Sequence, residues 1–171
     1  MRHSILGNFI CSKVAFLAAT TLSTAFPAIA AENILSLDAS GFDSPLSVIQ
    51  TTDGNNYASI SITGDRNGGA SGQSWYGYGE TPSELRPTGL LQSALLPGNI
   101  IQEGLSHSLQ ITVIGDDNLF AATQTGTGQS LELFIQGTRN QTAVIQSGAA
   151  NVAVISQIGD RNSVYLRQSS W

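Results

Sequence analysis

The chain has 171 residues, 41% hydrophobic and only 11% charged, with a net charge of −5. It is too apolar for plain disorder, and its scarcity of charge beside abundant Gly, Ser, Thr, Asn and Gln is a poor recipe for a conventional helical or α/β domain. The acidic balance argues against nucleic acid or anionic lipid as partner.

The first thirty residues read as a signal peptide. Arg2, His3 and Lys13 form a basic n-region, Val14 to Phe26 supply the apolar stretch, and Ala28-Ile29-Ala30 follows Pro27 as a small-x-small cleavage site. The apolar run is too short to span a bilayer, so no transmembrane segment is expected in the mature protein. Cys11 precedes the apolar run, which argues against a lipoprotein anchor. Cleavage after Ala30 (or Ala31) is expected, and the mature chain then holds no cysteine, hence no disulfide. Without Arg2 and Lys13, five basic residues face twelve acidic ones, a net charge of −7.

Residues 31–67 hold one degenerate copy of a repeat that is clearer downstream: Asn56-x-Ala58-x-Ile60-x-Ile62-x-Gly64-x-x-Asn67. Gln50 precedes Asn56 by six residues, with Asp53-Gly54 supplying one extra turn residue. Over 68–95 the pattern dissolves into Gly68-Gly69, the run Trp75-Tyr76-Gly77-Tyr78, Pro82 and Pro87, which reads as a long loop or insertion leaving the repeat.

From residue 96 to 171 the chain is periodic. Gly104, Gly115, Gly126, Gly137, Gly148 and Gly159 fall eleven residues apart. Three residues after each glycine stand His107, Asn118, Gln129, Asn140, Asn151 and Asn162. Two before each stand Gln102, Val113, Gln124, Ile135, Gln146 and Gln157, and the column continues at Gln168. The unit is N-x-A-x-V-x-Q-x-G-x-x. Its apolar residues alternate and are rich in Val and Ile, which argues strand and against helix.

An extended strand places Asn, Ala, Val and Gln of one unit on the same side. The G-x-x-N segment then turns the chain, with glycine supplying positive φ and Asn tolerating αL. The expected fold is all-β: a β-solenoid of strand-turn-strand layers, about 22 residues and two units per layer. Layers about 4.7–4.8 Å apart would set each inward amide above another, an amyloid-competent cross-β arrangement. The candidate self-assembly residues are Gln102, Asn118, Gln124, Gln129, Asn140, Gln146, Asn151, Gln157, Asn162 and Gln168, with the six turn glycines. Val113, Gln129 and Ile135 are expected to weaken the amide ladders. Asp65, Asp116, Asp117 and Asp160 lie in the turns, as gatekeepers against premature assembly or as solvated turn residues.

Catalytic and cofactor chemistry is not expected. His107, the only histidine after cleavage, stands in the Asn column, and one His without Cys makes zinc implausible. Gly72-Gln73-Ser74-Trp75 starts like a nucleophile elbow, but its closing glycine is displaced to Gly77. Carboxylates are too scattered to nominate a hydrolytic pair. Trp75, Tyr76 and Tyr78 read either as a sugar-stacking patch or as residues packing the loop down.

The segment Gln146-Ser-Gly148-Ala-Ala-Asn151-Val-Ala153-Val-Ile-Ser-Gln157 resembles the curlin repeat at every defined position. The resemblance is strong from Asn118 to Gln168, weaker from Gln102, and recurs once around Asn56. It implies a subunit of curli, secreted and polymerised into amyloid fibres for adhesion and biofilm matrix. The implied partners are copies of itself or other curlin subunits, with curli-type secretion and chaperone machinery. Its degeneracy points to a minor, nucleator-like or accessory subunit. The rival reading is a monomeric β-solenoid adhesin that contacts a glycan or surface through 68–95.

Overall fold

A computed structural model describes residues 32–51, 54–69, 75–76 and 96–171. The expected signal peptide and most of the 68–95 segment lie outside the described residues.

Ten strands occur among the described residues: β1 Ile34–Ser40, β2 Ser47–Gln50, β3 Tyr57–Thr63, β4 Asn99–Leu105, β5 Ser108–Ile114, β6 Leu119–Thr127, β7 Ser130–Gln136, β8 Gln141–Ala149, β9 Val152–Ile158 and β10 Ser163–Ser169. The odd strands form one parallel sheet, ordered β1-β3-β5-β7-β9, and the even strands another, ordered β10-β8-β6-β4-β2. Each odd strand and the even strand after it make one coil of a five-coil β-solenoid. From β4 onward the register repeats two sequence units per coil, as in Leu109↔Leu131↔Ala153 and Gln102↔Gln124↔Gln146↔Gln168.

The core lies between the two sheets and comes from alternate positions. Ile60, Ile62, Leu109, Ile111, Leu131, Leu133 and Ile135 face Ile100, Phe120, Ala122 and Val144 in a single cluster. Burial of such side chains contributes about 1.5–3 kcal/mol each, more than the roughly 0.5–1.5 kcal/mol net of a hydrogen bond. The apolar columns therefore drive collapse. The buried amides beside them fix the register, since a slip would orphan groups at about 1–3 kcal/mol each.

Two register steps locate the irregularity in the N-terminal half. Strand β1 pairs with β3 one residue out of the later spacing, Ile34↔Tyr57, so one extra residue sits between β2 and β3, as the Gln50–Asn56 spacing anticipates. Strand β3 pairs with β5 through Tyr57↔Ser108, a separation of more than two coils. The two strands are nonetheless direct neighbours in the sheet.

The departure point is sharp. Gly68 bridges Leu119, and its N–H donates to Asn118 O at 2.8 Å; the next rung is supplied by Gly98, whose N–H donates to Phe120 O at 2.8 Å. One rung is thus spliced from Asn67-Gly68 and Gly98-Asn99, which are distant in sequence. A Cβ on Gly69 would collide with the Pro97 backbone carbonyl, and one on Gly68 would reach Leu46 Cδ2 at 2.7 Å. Only glycine closes this neck.

The turns correct one sequence expectation. Positive φ falls on the glycine and on the residue two after it: Arg66 at 54°, Asp117 at 59°, Arg139 at 57° and Arg161 at 58°. The Asn one residue later is not left-handed. Its amide must point into the stack, so the left-handed position goes to a residue whose side chain can leave for solvent.

Candidate functional site: ladders and open ends

The even sheet carries an unbroken glutamine ladder. Gln50 Nε2 donates to Gln102 Oε1 at 2.8 Å, Gln102 to Gln124 at 2.9 Å, Gln124 to Gln146 at 2.9 Å and Gln146 to Gln168 at 2.9 Å. Each Nε2 also reaches the opposite sheet, Gln50 to Ile34 O, Gln102 to Tyr57 O, Gln124 to Ser108 O, Gln146 to Ser130 O and Gln168 to Val152 O, at 3.1–3.2 Å. One side chain thus ties coil to coil and sheet to sheet. Gln102, Gln124 and Gln146 are fully buried, so their polar atoms require these partners.

The odd sheet has no such ladder. Its equivalent column runs Ala39, Ile62, Val113 and Ile135 before Gln157, an apolar column and not a broken amide one. Val113 and Ile135 therefore weaken no ladder, because the true repeat is the two-unit coil and its half-units are chemically different. Gln157, expected in the ladder, instead donates to Gln141 O at 3.2 Å and accepts from Thr142 Oγ1.

The asparagines fall in two columns. After the odd strands run Ser44, Asn67, Asn118, Asn140 and Asn162. From Asn67 on, the backbone N–H of each donates to the side-chain oxygen of the one before, at 2.9–3.1 Å. Asn118 and Asn140 also donate through Nδ2 to the preceding Asn Oδ1 and to a glycine carbonyl, Gly137 O and Gly159 O respectively.

Just before the odd strands run Asn33, Asn56, His107, Gln129 and Asn151. Asn56 N–H donates to Asn33 Oδ1 at 3.1 Å and His107 N–H to Asn56 Oδ1 at 2.9 Å. His107 is buried and replaces an amide: Nδ1 accepts from Gln129 N–H at 3.3 Å, leaving the ring proton on Nε2, toward Glu103 O at 3.1 Å. The ladder ends there. Gln129 Oε1 is buried without a partner among the described residues, and Asn151 turns its Nδ2 to Ser147 O of its own turn. Gln129 and Asn151 hold the expected places but not the expected amide–amide bonds.

The turn aspartates link neighbouring coils. Asp65 Oδ1 accepts from Phe42 N–H, Asp116 Oδ1 from Asp65 N–H and Asp160 Oδ1 from Thr138 N–H, each at 2.8 Å. The Thr138 N–H, then its hydroxyl, hold the Asp160 carboxyl below the usual aspartate value. Asp117 takes a bidentate pair from Arg66 at 2.6 and 2.7 Å, which lowers its pKa and raises that of Arg66. These carboxylates join coils in addition to any effect of their charge on assembly.

Sequence reading missed Asn33, Ser44 and Asn67 as ladder members and left Gln50 out of the candidate set. Asn33 was findable, since it lies eight residues before Gly41, as Asn56 does before Gly64. Trp75, suspected of loop packing or sugar stacking, packs against Ala143, as do Ile145 and Tyr165.

Among the described residues, the sheets finish at either end of the stack on strands with a neighbour on one side only, β1 and β2 above, β9 and β10 below. Among the described residues no helix is long and apolar enough to cross a membrane. Residues 137–169, which contain β8, β9 and β10, match the family model of the curlin associated repeat. No curated protein and no solved structure matches the chain. The match identifies a curlin-type repeat at residues 137–169, within the glutamine and asparagine ladders.

Proposed function

We propose that this chain is a non-enzymatic structural subunit of an extracellular curli-type fibre, exported through an N-terminal signal peptide. It assembles by end-on stacking of its coils on copies of itself or on other curlin subunits, using curli-type secretion machinery, and serves adhesion and biofilm matrix. A minor or nucleating role is the finer form of this reading, supported by the irregular N-terminal coils.

The observation that carries the proposal is that the glutamine ladder runs through both terminal coils, which no described residue covers. The glutamine column starts at Gln50 in the first coil and ends at Gln168 in the last. An unpaired strand edge is a template for another chain, and solenoids that remain monomeric carry polar caps over such edges.

The test is incubation of residues 31–171 at low micromolar concentration, followed by thioflavin T, electron microscopy and fibre diffraction, with and without preformed curli seeds. Fibrils with a meridional spacing near about 4.7–4.8 Å are expected, and rapid onset without seeds would assign the nucleating role. A soluble, seed-resistant, β-rich monomer would overturn the proposal.

A further inference from the structure

The side-chain bonds between coils have a direction. In the turns after the odd strands, Phe42 N–H donates to Asp65 Oδ1, Asp65 N–H to Asp116 Oδ1 and Thr138 N–H to Asp160 Oδ1, each at 2.8 Å. The backbone of one coil thus donates to a side chain of the next. In the asparagine column the sense is reversed, since Asn162 N–H donates back to Asn140 Oδ1 at 2.9 Å. In the glutamine column Nε2 of one coil donates to Oε1 of the next. Each end of the stack therefore holds one half of every such step.

The last coil offers three of these halves. Gly159 N–H and Arg161 N–H donate back to Gln136 O and Thr138 O, so the Asp160 N–H between them faces the open end. Asn162 Oδ1 and Gln168 Nε2 stand at the ends of the other two columns. A second copy stacked in the register of the internal coils brings Ser44 N–H to Asn162 Oδ1 and Gln50 Oε1 to Gln168 Nε2. Those two steps can close. The third brings Phe42 to Asp160 N–H, and a benzyl group carries no oxygen to accept it. Every other position of that column does carry one: Asp65, Asp116, Thr138 and Asp160. Phe42 is 64% exposed, so core packing within the chain does not account for an aromatic ring there.

We propose that Phe42 is a brake on the head-to-tail joining of this chain to a second copy, because it withholds the acceptor that Asp160 N–H needs. A joint that strips water from a donor and supplies no partner is disfavoured against one that pairs every group. This role rests on the assembly reading above and sets the rate of its joining step.

Two variants of residues 31–171 test it. Phe42→Asn adds an oxygen without altering the charge of the turn, and Phe42→Leu removes the ring without adding one. Urea unfolding should leave both monomers close to the parent, because Phe42 donates to Asp65 through its backbone. Elongation from a fixed amount of sheared parent fibres is then followed by thioflavin T. Phe42→Asn is expected to elongate about three- to tenfold faster than the parent, and Phe42→Leu at about the parent rate.

A parent that does not elongate beside a Phe42→Asn variant that does would show the brake at full strength. Equal rates for parent and Phe42→Asn would overturn the brake and leave the assembly reading standing. Phe42→Leu as fast as Phe42→Asn, both ahead of the parent, would also overturn it, since the ring and not the missing acceptor would then set the rate. If neither parent nor Phe42→Asn elongates, the assembly reading fails and the brake with it.

Discussion

Gln50 Nε2 donates to Gln102 Oε1 at 2.8 Å across 52 residues of sequence. The bond continues a ladder whose remaining steps each span 22 residues. The ladder ignores the longer sequence separation of the first two glutamines, so register is set by column chemistry and not by chain distance. A central member should therefore be costly to lose. Gln124→Leu removes one of the two acceptors of Gln102 Nε2 and the Gln124 donor to buried Gln146 Oε1, and is expected to destabilise by about 2–4 kcal/mol. By contrast, Gln157→Leu with Thr142→Val removes both partners of a side-chain pair in an apolar neighbourhood, at the further loss of only the Gln157 donor to Gln141 O. That double variant is expected within about 1 kcal/mol of the parent. Urea unfolding of the monomer separates the two, and equal losses would sink the distinction between the sheets.

The contrast between these glutamines also marks what the sequence could and could not reveal. Strand type, the two-unit coil and the inward side of the strands from Asn99 on were legible, because period-two alternation and the glycine spacing report backbone geometry directly; that the coils begin at Ile34 and not at residue 96 was not. Nor was the chemical difference between the sheets. An eleven-residue column merges Gln146 with Gln157, and only pairing reveals that the first neighbours Gln168 while the second neighbours Ile135. Asn33 escaped because its unit lacks the Gln at the sixth position, where Ala39 stands. Trp75 was ambiguous because an aromatic in a glycine-rich segment carries no information about which face receives it.

The turn glycines divide into two kinds that substitution should separate. Gly115 has φ of 117°, and a Cβ there would strike the carbonyl of Gly137 in the next coil. Gly128 has φ of 65° and open space around it. Gly115→Ala is expected to block folding of the affected coils, whereas Gly128→Ala should cost only the left-handed penalty of about 1–2 kcal/mol. Thermal melts of the two variants decide this, and similar midpoints would contradict it.

Acid should loosen the turns before it touches the core. Asp117 and Asp160 both sit below the ordinary aspartate value of 3.8 in the folded chain, Asp117 through Arg66 and Asp160 through Thr138 N–H. A carboxyl held low contributes stability that is present above its unfolded value and is lost as pH falls through the folded one. The melting temperature should therefore hold at and above about pH 5 and fall progressively below about pH 4. In Asp117→Asn with Asp160→Asn the fall should be shallower. An identical acid profile for parent and variant would remove these two groups from the account.

The charges two residues past the turn glycines of the odd strands form a column of their own: Asp43, Arg66, Asp117, Arg139 and Arg161. Arg66 and Asp117 already form an ion pair between coils. If copies stack head to tail, as the assembly proposal requires, Arg161 of one chain lies beside Asp43 of the next, continuing the attraction across the joint. Exposed pairs of this sort are worth only about 0.2–1 kcal/mol, so the effect belongs to elongation rate and not to fold. Arg161→Glu replaces that attraction with repulsion and should slow seeded elongation about three- to tenfold at low salt, less at high salt. Combining it with Asp43→Arg should restore the parent rate, because the swap rebuilds the pair with its signs exchanged. A double variant as slow as Arg161→Glu alone would show that these two residues do not meet, and with that the head-to-tail joint would lose its electrostatic support.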